Sequence, residues 1–79
     1  MDITILILSI LKQSKDLGKE SMQIQNIDHI LGRKGERNFI GSKLTIELEE
    51  LIKNDLIYKF SNNYSLTKKG LQYLEKKSK

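Results

Sequence analysis

The side chains able to do chemistry in this chain are few, and the organised ones are cations. There is one histidine, His29, and no cysteine. A lone imidazole cannot assemble a metal site, and without thiols there is neither a disulfide nor a thiolate zinc centre. The carboxylates are scattered, with no nucleophile and base beside them, so neither catalysis nor a cofactor is expected. The positive charge, by contrast, comes in two blocks. Arg33, Lys34, Arg37 and Lys43 stand against Glu36 alone between residues 32 and 46. From residue 58 onward Lys59, Lys68, Lys69, Lys76, Lys77 and Lys79 stand against Glu75 alone. Between them Glu47, Glu49, Glu50 and Asp55 outweigh Lys53. Basic blocks of this kind suit a polyanion such as nucleic acid.

These residues need a scaffold, and 79 residues with a net charge of +4 allow one small domain spanning 1–79. The apolar run from Ile3 to Leu11 is too short to cross a bilayer and lacks a signal peptide's basic leader, so the cytoplasm is the expected compartment. Asp2 is a plausible N-cap for a first helix reaching about Lys15. Ile3, Leu6, Ile7, Ile10 and Leu11 share one face of it. Ile5 and Leu8 fall on the other side, which a surface helix normally keeps polar, so they are the expected homodimer contact.

Gly18 ends that unit. Glu20 to Gln25 is a candidate strand, and Asn26 a candidate N-cap for a short helix through Leu31, with Ile27, Ile30 and Leu31 inward. Gly32 to Arg37 reads GRKGER, a basic connector without the spacing of a phosphate loop. Ile40, Leu44, Leu48, Leu51 and Ile52 form the stripe of a third helix. Asn54 or Asp55 can stop it, because both tolerate left-handed backbone. A hairpin follows, Leu56 to Phe60 and Tyr64 to Leu66 around Ser61-Asn62-Asn63. With that three-residue turn Tyr58, Phe60, Tyr64 and Leu66 share a phase and face the core, while Lys59 and Ser65 face out. Thr67 caps a last helix in which Leu71 and Leu74 point inward and Gly70 weakens the helix slightly.

Helix, possible strand, two helices, hairpin and closing helix together give an α+β, mostly helical domain. The run LEELIKNDLIYKFSNNYSLTKKGLQYLE, residues 48–75, resembles the winged helix-turn-helix superfamily, in particular small bacterial and archaeal regulators of the MarR and PadR types. Their recognition helix ends in Leu-x-x-Leu, here Leu48 and Leu51. Leu-Ile, here Leu56 and Ile57, and a wing follow. Tyr-x-Leu-Thr-x-Lys-Gly, here Tyr64 through Gly70, leads into the closing helix. The resemblance implies a three-helix core, a two-stranded wing and a C-terminal helix. It implies nucleic-acid binding through the third helix, whose outer side carries Asn38, Ser42, Lys43 and Ile46 with Thr45 flanking. Arg33, Lys34 and Arg37 just before that helix, Lys59, Asn62 and Asn63 on the wing, and Lys68 at the start of the closing helix complete the expected contacts.

Glu49 and Glu50 depart from the pattern, because carboxylates repel phosphate. Three functions therefore stay open. The first is a dimeric transcriptional regulator on duplex DNA, the favoured reading. The second is an accessory protein for replication of a mobile element, binding single strands or docking on a polymerase or helicase. Its candidate aromatics are Phe39, Tyr58, Phe60 and Tyr64. The third is a protein-interaction module that uses Ile5, Leu8 and the acidic helix.

Overall fold

The computed structural model describes residues 3–35 and 41–77. The elements run α1 (Ile3–Asp16), β1 (Met22–Gln23), α2 (Ile24–Arg33), α3 (Ser42–Lys53), β2 (Ile57–Phe60), β3 (Asn63–Leu66) and α4 (Lys68–Lys77). Among the described residues four helices and one antiparallel sheet of order β1-β3-β2 make an α+β domain. Asp2, Arg37, Asn38, Phe39 and Ile40 lie outside the described residues.

The first helix is the centre of the molecule. It packs against α2, β3 and α4. Leu6, Ile7, Ile10 and Leu11 are buried at the expected spacing. The expectation for the opposite side is corrected: Leu8 is 0% exposed, and Ile5 is partly buried against the same core. A domain this small has one core, and neighbours wrap the helix on both sides. Leu8 is therefore a core residue with no surface to offer a second copy. The helix closes at Gly18, φ 94°, where the amide of Lys19 donates to Ser14 O at 2.9 Å and that of Gly18 to Lys15 O at 3.0 Å. This is the Schellman pattern that a glycine makes inexpensive.

The next segment also differs from expectation. The strand is only Met22–Gln23, and α2 begins at Ile24 with Gln23 as N-cap, three residues before the position that Asn26 suggested. Ile27 and Leu31 are buried as expected, and Ile30 partly so. The strand survives because β3 pairs with it, Met22 opposite Tyr64 and Gln23 opposite Asn63. The expected two-stranded wing is thus part of a three-stranded sheet.

Register decides the faces of the hairpin. Ile57 pairs with Leu66, Tyr58 with Ser65, Lys59 with Tyr64 and Phe60 with Asn63. The loop is therefore the two residues Ser61 and Asn62, with positive φ at Ser61 (57°), and Asn63 belongs to the strand. Moving one residue from turn to strand reverses the faces relative to each other. Tyr64 and Leu66 stay inward with Ile57, as their burial shows. Tyr58 and Phe60 turn out, 51% and 77% exposed. Ser65, expected outside, is buried and donates to Glu20 O at 2.8 Å.

Candidate nucleic-acid interface

The third helix positions the candidate contacts. Leu44, Leu48 and Leu51 are buried, and this stripe fixes the rotation of α3. Ser42, Lys43 and Thr45 are then exposed, as is Ile46 at 65%. The helix starts from Gly41, φ 68°, with no side-chain cap. Thr45 turns back on that start, its amide donating to Gly41 O at 3.2 Å and its hydroxyl at 3.4 Å.

Thr45 faces a groove of about 480 Å³ shared with the hairpin and the β1–α2 junction. Gln23, Ile24, Gln25, Lys59, Asn62 and Tyr64 complete its lining. Three amide-bearing residues, two hydroxyl-bearing ones and a lysine line it, and none of the lining residues is acidic. Lys59 reaches over the Tyr64 ring, with Nζ 5.9 Å from its centroid. The residue as a whole stays exposed, and the ammonium is drawn toward the electron-rich ring face.

The acidic residues of α3 are turned away from this groove, Glu49 excepted. Glu47 accepts a hydrogen bond from Thr4 Oγ1 at 3.1 Å. With Glu50, Asn54, Lys69 and Tyr73 it lines a separate cleft of about 250 Å³ toward α1 and α4. Glu49 stays exposed one helical turn beyond Thr45. A third depression, about 610 Å³, is lined by Leu56, Lys69, Gln72, Tyr73, Glu75 and Lys76, where charges of both signs alternate.

Of the sequence-based candidates, Thr45, Lys59 and Asn62 meet at the groove. Ser42 and Lys43 are exposed on the first turn of α3. Arg33 and Lys34 are exposed at the C-terminal end of α2, and Asn63 is half-buried as a strand residue. Lys68 is exposed but is not drawn into the groove. It follows Thr67, whose hydroxyl bonds to Asp55 O beyond the far end of α3, about 15 Å along the helix from Thr45. Arg37 and Asn38 lie outside the described residues.

Gln23 and Gln25 escaped the sequence reading. They sit where a strand of two residues turns into a helix, and in the candidate strand Glu20 to Gln25 they are only the polar positions of the alternation. Only pairing of β1 with β3 carries them to the wing. Among the described residues no three acidic or histidine side chains gather to hold a metal ion, and no helix is long and apolar enough to cross a membrane. Against known protein families, characterised proteins and solved structures, the chain shows no match.

Proposed function

We propose that this chain is a winged helix-turn-helix protein that binds duplex DNA with the first turns of α3 and the β2–β3 hairpin, as a transcriptional regulator does. The observation that carries the reading is the groove between them, lined by six residues with hydrogen-bonding side chains and by no carboxylate. Amide side chains can pair with adenine or with phosphate, and lysine answers the backbone charge. The order of elements supports it, since a hairpin follows α3 directly and a helix closes the domain. Electrostatics support it as well. Glu47 and Glu50 line a different cleft, so the repulsion foreseen from the acidic stretch falls away from the groove, leaving Glu49 to limit contact to the first half of α3.

Fluorescence anisotropy with a duplex of about two helical turns, across a salt series, tests this directly. Three or four neutralised phosphates give a slope of log affinity on log salt of about −3 to −4. A regulator also discriminates sequence, each wrong base pair costing about 1–3 kcal/mol in a selected site. Affinity independent of salt, or equal for every duplex, would sink the reading.

A further inference from the structure

The outward face of the hairpin carries a second surface that duplex binding in the groove does not use. Tyr58 and Phe60 are two residues apart on β2, so both rings project from the same face. They are 51% and 77% exposed, the most open aromatics of the described chain. Their register partners Ser65 and Asn63 share that face, and Ser65 is tied down by the segment after α1 through Glu20 O. The face is thus covered over β3 and open over β2. Lys59 and Tyr64, which line the groove, project from the opposite face.

Two protein occupants fit poorly. β2 is an edge strand, but it has four residues with Lys59 inside it, a combination that discourages pairing with another strand. As for a second copy packing face to face, two partly exposed rings offer roughly 250 Å², while a stable interface takes about 800 Å² from each partner.

A single-stranded nucleic acid fits on three counts. Successive outward positions on a strand are about 6.6 Å apart, roughly twice the 3.4 Å base rise within a duplex strand. The rings therefore match bases that have come apart, one per ring, and not bases stacked in a duplex. Base faces are bound by aromatic rings without regard to sequence. The charge also has the right sign: the chain carries a net +4, and the hairpin, residues 57–66, holds Lys59 on its other face and no carboxylate. We infer that Tyr58 and Phe60 form a stacking platform for two unpaired bases of a single strand. The inference rests on these rings, their spacing and the net charge of the chain; it does not require the groove to hold a duplex.

The test uses the full chain, a labelled oligo-dT of about 12 nucleotides and a blunt duplex, both titrated against wild type and Tyr58→Ala/Phe60→Ala. The double variant is expected to lose at least tenfold in affinity for oligo-dT while its duplex affinity moves less than threefold. Tyr58→Phe is expected to retain oligo-dT binding. The chain has no tryptophan, so Phe60→Trp places a lone indole on the platform, and its emission should be quenched by oligo-dT. Unchanged oligo-dT affinity in the double variant, or binding without quenching, overturns the inference. So does self-association in sedimentation that the double variant abolishes, since a second copy would then be the occupant. A wild-type chain that binds oligo-dT through the two rings but no duplex would overturn the groove reading and leave the platform standing.

Discussion

The two ends of α3 are held in contrasting ways. Beyond its C-terminal end Asp55 adopts φ 62°, with its amide donating to Ile52 O and that of Leu56 to Leu51 O, both at 3.0 Å. Asp55 O accepts the Thr67 hydroxyl at 2.6 Å, and Leu56 O accepts the Thr67 amide at 3.2 Å. Thr67 Oγ1 in turn accepts the Gly70 amide at 2.9 Å. Three chain segments are knotted there by backbone groups. At the N-terminal end Gly41 makes no side-chain cap, and Ser42, Lys43 and Thr45 are open to solvent. An end whose hydrogen bonds are consumed by the fold defines where the hairpin leaves. An end whose side chains stand in solvent can exchange water for a ligand at little conformational expense. The contrast gives folding to one end of the helix and, on the proposed function, leaves the other for recognition.

The strongest way to break the knot is Gly70→Ala. A β-carbon on Gly70 would lie 1.9 Å from Leu56 O and 2.9 Å from both Leu56 C and Leu66 Cδ1. The obstacle is backbone, so α4 and β2 must separate. Alanine gains up to about 1 kcal/mol in helix propensity, but overpacking of this kind costs about 3 kcal/mol or more. Urea denaturation should show a loss of that size, a large share of a small domain's stability. Wild-type stability in the variant would mean that α4 does not sit against Leu56.

Thr67→Ala removes the cap and the bond to Asp55 at once. About 1–2 kcal/mol should be lost by the same measurement, and Thr67→Ser should recover most of it. Equal loss in both variants would assign the effect to the methyl group and not to the hydroxyl.

These residues show how far the sequence could be read. Thr67 was legible as a cap because capping is local, set by one side chain and the next three amides. The α3 stripe was legible for the same reason, as was a left-handed residue at Asn54 or Asp55. Gly70 was visible only as a weak helix residue, because its purpose is close approach to Leu56, fourteen positions earlier, and no local pattern records that. Tyr58 and Phe60 were turned the wrong way by a single residue. Asn63 is equally good in a turn or at a strand end, and the choice depends on pairing with β1 and β2 together. Leu8 was assigned outward because amphipathicity assumes a helix at the surface, and α1 is enclosed. Gln23 and Gln25 joined the site through a strand pairing forty residues away. The elements were thus local information, whereas the groove, made by three segments meeting, was not.

Two lysines, one toward each end of α3, serve as a matched pair. Lys59 lines the groove, and Lys69 lines the cleft that holds Glu47 and Glu50. Each substitution to alanine removes one charge, so net charge alone predicts equal effects on duplex affinity. The contrast between the two ends predicts otherwise. Lys59→Ala should reduce affinity roughly five- to tenfold at about 0.1 M salt and lower the salt slope by about one. Lys69→Ala should change affinity less than twofold. Equal losses would reduce the groove's contribution to the general field of the protein.

The smallest effect is expected from Asp55→Gly, and it tests whether the C-terminal end is strained or merely shaped. Left-handed backbone costs an ordinary residue about 1–2 kcal/mol, but aspartate much less, because its short side chain is tolerated there. Glycine relieves that strain yet adds about 0.5–1 kcal/mol of backbone entropy to the unfolded chain. The two terms nearly cancel, so urea denaturation should move by less than about 0.5 kcal/mol in either direction. Asp55→Val has no such compensation, since a β-branched side chain is poorly accommodated at φ 62°, and it should destabilise by at least about 1 kcal/mol. Stabilisation by glycine well above that margin would show that the knot forces Asp55 into place against its preference. A tolerated valine would mean that α3 stops for another reason, and the turn that sends β2 toward the groove would not depend on the left-handed residue.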